Sequence, residues 1–409
     1  MSDPSPPSTQ TTPTADQCGP LKGIRVIEMG QLIAGPFCGQ LLGDMGADVI
    51  KVEPPGKGDP MREWGRGSAS LWWSVIARNK KSITLNLRSH EGQDLLKRLA
   101  QDTDILIENF RPGTMEKWGL GYDILRELNP GLIMVRVSGY GQTGPYAKRA
   151  GYGSIGEAMG GLRYQLGYPD RPACRVGISI GDSLAGTYAC MGALAALQHR
   201  HNTGRGQMVD TAIYEAVLAM MEATVPEYSE GGFVRERTGS ILPKVAPSNV
   251  YPCQDGELLI GANQDTVFAR LATAMHRPDL AEDPRYATHL ARGEHQAELD
   301  DIIAQWTAQK TVAEVEACME QHGVPAGRLF KASDMLEDPH YRARDTIVDV
   351  PHPEFDHLKM QNVFPRLSES PGTIRWPGPD LGAHNADIFQ DLLGLDEADI
   401  IALREKGVI

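Results

Sequence analysis

Short apolar runs alternate along the chain with segments whose apolar residues recur at every third or fourth position. Gly23-Ile-Arg-Val-Ile-Glu-Met-Gly30 predicts a strand, and Gly35-Pro36 opens a helix over 37–45. Ala47–Glu53 predicts a second strand, closed by Pro54-Pro55-Gly56. The alternation continues with a strand over 82–86, a helix over 91–102, strands at 105–108 and 132–137, and a helix at 122–128 between them. Strands joined through helices rather than tight turns define an α/β fold, a Rossmann-like parallel sheet wound on both faces. Beyond Ser183 the period becomes helical, over 184–201 and again over 207–225. A strand at 257–261 and helices near 266–275, 294–308 and 311–322 predict a smaller α+β lobe, and a helical piece follows at 385–393.

The domain boundaries follow from composition. Residues 1–20 are a tail: the first nineteen hold four prolines and neither Lys nor Arg, too little apolar surface to offset ordering. Residues 21–226 form the N-terminal part of the large domain, 227–250 a linker rich in Gly, Pro and charge, and 251–340 the small domain. A second linker spans 341–382, and 383–409 return to the large domain. The tail lacks the basic and apolar regions of a secretory signal and the arginines of a mitochondrial presequence. No run approaches 18 uninterrupted apolar residues, and the most apolar helix candidate, 212–225, is broken by Glu215 and Glu222. A cytoplasmic protein is expected.

With 409 residues the chain is too long for one core, in keeping with two lobes. Its formal charge of −13 argues against a nucleic-acid partner, yet leaves room for a local basic pocket. The six cysteines stand far apart with no C-x-x-C pair, so neither a zinc ribbon nor a disulfide framework fits.

Gly139-Tyr-Gly-Gln-Thr-Gly144 matches the spacing of a dinucleotide fingerprint, but Pro145 and a polar stretch follow where a helix must start. It reads as a turn. Arg78, Lys80, Lys81, Arg88, Arg111 and Lys117 fall at predicted strand ends or loop starts. Each alone reads as a solvated charge; together they suit a polyphosphate ligand at the carboxyl ends of a parallel sheet. Asp182, in Gly177-Ile-Ser-Ile-Gly-Asp-Ser-Leu-Ala-Gly186, precedes a long apolar helix and reads first as its N-cap. The flanking glycines leave space for a bulky ligand. His199 and His201 end that helix, where cations complement its dipole, and no further metal ligands stand at suitable spacing.

Taken in order, several segments together resemble the family III CoA transferases, the group that holds formyl-CoA:oxalate and carnitine CoA transferases. They are Gly23-Ile-Arg-Val-Ile-Glu28, Ala34-Gly-Pro36, Gly46-Ala-Asp-Val-Ile-Lys-Val-Glu53, Arg78-Asn-Lys-Lys-Ser82, Glu108-Asn-Phe-Arg-Pro-Gly113, Ser138–Pro145, Gly181-Asp182 and Arg200-His-Asn-Thr-Gly-Arg-Gly-Gln207. The resemblance implies an interlocked, ring-like homodimer, with a heteromer of homologous subunits as the alternative. It implies no separate cofactor and no metal: coenzyme A and its thioesters are the substrates. By position Asp182 matches the catalytic aspartate, which would form covalent acyl and CoA intermediates.

CoA contacts carried over by position are Asn109, Phe110, Arg111 and Lys117, with Leu85, Asn86, Leu87 and Arg88 near the adenine; Ala34 and Tyr152 belong to the same site. Gly261 begins the stretch where relatives carry a mobile covering loop. Arg163, Arg171 and Arg175 are candidates for the acceptor carboxylate, Arg163 first. Ser138–Pro145, Pro226-Glu-Tyr228 and Arg235-Glu-Arg237 look most like relatives that use succinyl-CoA with C4–C5 dicarboxylates such as malate, citramalate or itaconate. The alternative is a 2-methylacyl-CoA racemase of the same fold, which needs a histidine where Tyr152 stands. A CoA-binding protein without turnover is the third class.

Overall fold

The structure is a computed structural model that describes residues 19–66 and 70–409; most of the expected tail, residues 1–18, lies outside the described residues. Two compact units emerge, one of residues 19–162, 177–222 and 345–409, the other of 163–176 and 223–344.

The first unit is built on six parallel strands: β1 (Arg25–Glu28), β2 (Asp48–Glu53), β3 (Lys80–Thr84), β4 (Ile105–Glu108), β5 (Ile133–Ser138) and β6 (Met208–Ala212), in the order β3-β2-β1-β4-β5-β6. Successive side chains of a strand point to opposite faces, so adjacent apolar residues feed two different cores. Ile27, Ile50, Leu106 and Met134 enter one core, while Val26, Val49, Ile105 and Ile133 enter the other. That is why adjacent apolar residues recur within β1, β2, β4 and β5. Helix α1 (Ala34–Asp44) and, further on, α5 (Ile180–Thr203) cover the second face. Helices α2 (His90–Gln101) and α3 (Tyr122–Leu128) cover the first. Ser89 caps α2 by accepting from the Gly92 amide at 3.1 Å, and Leu95, Leu96 and Leu99 form its buried stripe.

The chain next forms α4 (Gly153–Met159), then α5, β6 and α6 (Ile213–Leu218). The single helix expected over 207–225 is therefore a strand followed by a helix. Val209, Ala212, Ile213, Ala216 and Val217 happen to carry helical spacing. What decides the outcome is the free edge of β5, which pairs in parallel with residues 208–212. The helix that comes nearest to a membrane span is α5, not 212–225. It has the length and composition of a membrane span, yet packs Ala185, Ala189, Ala193 and Ala196 into the second core.

In the second unit β7 (Ser248–Pro252), β8 (Glu257–Gly261) and β9 (Ala326–Arg328) form an antiparallel sheet. Helices α7 (Asp265–Ala274), α8 (Gln296–Thr307) and α9 (Val312–His322) share its core through Phe268, Leu271, Leu299, Ile303 and Val315. Thr311 and Glu314 form a capping box at the start of α9. The unit also takes in residues 163–176, which fall in the expected large domain, and the whole of the expected linker 227–250.

The second expected linker, 341–382, is no free connection either. It holds a hairpin of β10 (Ile347–His352) and β11 (Asp356–Gln361) and then a strap along the edge strand β3. The Asn79 amide donates to the Trp376 carbonyl at 3.1 Å, and the Trp376 indole donates to the Lys80 carbonyl at 2.9 Å. An exposed strand edge invites unwanted pairing, and the strap covers it. Helices α10 (Asn385–Leu393) and α11 (Glu397–Glu405) complete the first core with Phe389, Ile400 and Val408.

Three of the basic residues expected to face a ligand are structural. Strand β3 begins at Lys80, two residues earlier than its sequence pattern suggests, which puts Arg78, Lys80 and Lys81 at its amino end. Arg78 makes a two-pronged pair with Asp44, Lys81 pairs with Asp48, and Lys80 is fully buried against Glu28. Glu28 also holds Lys51, which bonds Asp59 at 2.8 Å. Burial pushes the Lys51 ammonium down, but the carboxylates of Asp59, Glu28 and Glu53 outweigh it and raise it above the usual lysine range.

Candidate active site

A cleft of about 880 Å³ opens at the carboxyl ends of β1–β4, where the strand order reverses between β1 and β4. Parallel sheets bind ligands at this position because successive loops diverge there. Leu85, Asn86, Leu87 and Arg88 line it from the loop after β3, and Phe110 and Arg111 from the loop after β4. Arg111 is exposed and donates to the Lys148 carbonyl at 3.0 Å. Phe110 meets Trp118 edge to face, with centroids 5.2 Å apart. Lys57, Gln31, Thr114 and Trp118 also line the cleft and were not singled out in the sequence. Lys57 could have been, because it directly follows the Pro54-Pro55-Gly56 turn that closes β2.

Two of the expected CoA contacts sit differently. Lys117, exposed at the end of the short helix Thr114–Lys117, is outside the cleft lining. The side chain of Asn109 accepts from the Gln31 amide at 2.8 Å and donates to the Gln31 carbonyl at 2.9 Å. Asn109 thus ties the β4 loop to the turn between β1 and α1.

Beneath this loop lies Glu108, buried, accepting from Arg136 Nε and from the Phe110 amide, both at 2.7 Å. Burial pushes its carboxyl up to about 6 against the pull of Arg136. Between the ordinary glutamate range and about 6 the folded chain holds a proton that the unfolded chain has lost, so stability falls as pH rises through that window. Urea midpoints compared at pH 4.5 and pH 7 should show a loss for wild type that Glu108→Gln lacks. The difference should be about 2 kcal/mol at most. Parallel pH slopes in the two proteins would refute this account.

Asp182 is not the N-cap residue that its sequence context suggests. Gly177, at φ 88°, turns the chain early, α5 starts at Ile180, and Ser179 takes the N-cap position without a side-chain capping bond to the first-turn amides. Asp182 lies in the first turn, where the helix dipole favours a carboxylate. Its carboxylate rests on Gly153 at the head of α4: a Cβ built there would lie 2.1 Å from Asp182 Oδ2. Tyr152, the residue just before, is 51% exposed and stands at the N-cap position of α4.

One turn along α5 from Asp182, Gly186 meets the head of α1, where its Cβ would lie 2.8 Å from the Ala34 carbonyl oxygen. Ala34 is buried and contributes through this close packing. Three residues before it in the chain, Gln31 lines the cleft. The sequence thus brings Asp182, Tyr152 and Ala34 together, next to the turn that borders the cleft. The Gly139–Gly144 segment is a turn: the Gly141 amide bonds Ser138 Oγ, the Gln142 amide bonds Asp210, and no helix opens before Gly153.

Gly261 and Arg163 belong to the second unit. Gly261 ends β8, and the segment after it is pinned. The Gly261 amide donates to Pro325, the Ala262 amide to Pro247, and Arg292 donates to the Asn263 carbonyl at 2.7 Å.

The parallel sheet thus carries a cleft lined by Lys57, Arg88 and Arg111 at its switch point and a carboxylate at a glycine-lined helix start. The family comparison makes the class definite. Residues 21–385 match CoA-transferase family III, and the chain belongs to this family and is a CoA-transferase. It is 62% identical, over 95% of its length and 98% of the relative, to the succinyl-CoA–D-citramalate CoA-transferase of Chloroflexus aurantiacus. It is 44% identical, over 95% of its length and 98% of the relative, to the beta subunit of the succinyl-CoA–L-malate CoA-transferase of the same organism. Among solved structures, a CAIB/BAIF family protein from Brucella suis matches 92% of this chain and 100% of its own, with a TM-score of 0.82 and 34% identity.

Proposed function

We propose that this CoA-transferase moves CoA from succinyl-CoA to citramalate through covalent intermediates on Asp182. The observation that carries the choice of acids is the 62% identity to the D-citramalate enzyme, against 44% to the subunit named for L-malate. The place of Asp182 in the first turn of α5, with its carboxylate against Gly153, supports its role as nucleophile.

In this reading the Asp182 carboxylate attacks the thioester carbonyl of succinyl-CoA, and the C–S bond breaks to give a mixed anhydride and CoA thiolate. The thiolate attacks the aspartyl carbonyl, succinate leaves, and Asp182 carries CoA as a thioester. Citramalate attacks that thioester through a carboxylate, giving a second anhydride and releasing thiolate again. The thiolate then attacks the citramalyl carbonyl, so that citramalyl-CoA leaves and the Asp182 carboxylate is restored. One thioester is exchanged for another, so no external energy source is needed. A carboxylate is a weak nucleophile in water, and the half-buried setting of Asp182 lessens its hydration. The working unit in this reading is a dimer, and exposed apolar side chains of α5 such as Met191 and Leu194 are ones a second chain would cover.

The test is incubation of the purified protein with succinyl-CoA and, separately, citramalate, malate, itaconate, glutarate, oxalate and carnitine, each product being read by mass spectrometry. Citramalyl-CoA should form fastest, with malyl-CoA behind it. Preference for another acid would overturn the acceptor. Silence with every acid, together with exchange of the α-proton of a 2-methylacyl-CoA for deuterium, would replace transfer by racemisation.

A further inference from the structure

We infer that Glu157 is a positioning residue for the nucleophile, a buried side chain on α4 that fixes the first turn of α5 and so aims Asp182. The inference rests on the reading of Asp182 as the nucleophile.

The first amides of a helix have no acceptor within it, and a 24-residue helix normally finds one in its own N-cap side chain. Ser179 provides none here. The acceptor comes from a different helix: Oε1 of Glu157, 1% exposed, receives the Gly181 amide at 3.4 Å, the long end of such bonds. Gly153 and Glu157 are four residues apart and share one face of α4. The lower residue of that face holds the backbone at Gly181, and the upper one receives the carboxylate of the next residue, Asp182. Contact reinforces the bond. A Cβ on Gly181 would lie 3.0 Å from Glu157 Cγ and 3.2 Å from the Gly153 carbonyl oxygen, so the absence of a side chain at 181 is what lets the helices meet this closely.

The same glycine-rich face of α4 also packs on α6. A Cβ on Gly156 would lie 2.5 Å from Ile213 Cγ2, and one on Gly160 2.6 Å from Val217 Cβ, both on α6. Glu157 therefore acts from a firm base. An apolar residue would fill the same space without the cost of burying a carboxyl group, so a carboxyl here makes sense as an acceptor. The cleft lined by Arg88, Phe110 and Arg111 lies on the strand-end loops, apart from this helix contact. Loss of Glu157 should therefore lower the rate of the chemical steps and leave substrate binding alone. Misplacement of a reacting group by about 1 Å costs on the order of 100-fold.

The experiment compares Glu157→Gln, Glu157→Met and Asp182→Ala with wild type in succinyl-CoA:citramalate exchange. Melting temperature and CoA binding are recorded for each. Glu157→Met, which keeps the volume and removes the acceptor, should lower kcat roughly 100-fold while both KM values stay within about twofold. Glu157→Gln, which keeps an acceptor oxygen, should recover kcat to within about fivefold of wild type. Wild-type kcat in Glu157→Met would overturn the inference. So would a Gln variant no better than Met, or loss of folded, CoA-binding protein in both. Activity surviving in Asp182→Ala would instead remove the nucleophile reading itself. A dead Asp182→Ala beside a fully active Glu157→Met would remove only the positioning role.

Discussion

Asp182→Ala should lower CoA exchange by at least about 10⁴-fold, because no other group can replace a nucleophile that forms two successive covalent bonds. Asp182→Asn should fall as far, since it keeps the shape of the side chain and loses the anionic oxygen. Both variants should stay folded. Asp182 is only half-buried in the first turn of α5, where alanine is an excellent helix former and the dipole contact it gives up is worth about 0.3–1 kcal/mol. Two measurements decide. Intact-protein mass spectrometry after incubation with succinyl-CoA should find CoA bound covalently to wild type and to neither variant. Steady-state exchange should fall to background. A variant that retains more than about a hundredth of wild-type activity would show that Asp182 is not the nucleophile.

Gly153→Ala should separate activity from stability in the opposite sense to most core substitutions. Gly153 opens α4 with ordinary helical geometry, and the exchange of glycine for alanine within a helix contributes about 0.5–1 kcal/mol of stability. The new methyl, however, would stand 2.1 Å from Asp182 Oδ2, far inside contact distance. Either the carboxylate rotates away or the helices part, and kcat should fall on the order of 100-fold with little loss of folded protein. Gly156→Ala, one turn away, is the control. Its methyl would stand 2.5 Å from buried Ile213 on α6, so it should lower the melting temperature, and its effect on kcat should stay well below that of Gly153→Ala. Should both variants lose activity and stability together, the space at Gly153 would be a matter of packing alone.

The sheet was legible because β1, β2, β4 and β5 each carry a short cluster of adjacent apolar residues bounded by turn residues or charges, and two-faced burial writes itself into composition. The sixth strand was not. Its five residues continue the helical spacing of α6, and only the edge of β5 tells strand from helix. Asp182 was legible as a special position, but its place within the helix was not, because the early turn at Gly177 moves the helix start. Lys80 and Lys81 misled for a related reason. Two residues of strand boundary carry a basic pair from the loop to the amino edge, where Lys80 is buried with Glu28. Glu157 and Gly153 left no signal in one dimension. A glutamate in a helix reads as solvated surface, and only the approach of α5 makes it a buried acceptor.

The final helices have a consequence for how the molecule comes into being. Asn86 bonds the Gly407 carbonyl across 321 positions of chain, its backbone amide bonds Val408, and Phe389, Ile400 and Val408 lie in the first core of the sheet. At about 5–20 residues per second, the strands spend roughly 15–60 s on the ribosome before their cover exists. During that interval one apolar face of the nascent sheet stands open, and strand β3 lacks the strap that shields its edge. Newly made chains should therefore depend on holding chaperones more heavily than the finished enzyme's stability would suggest.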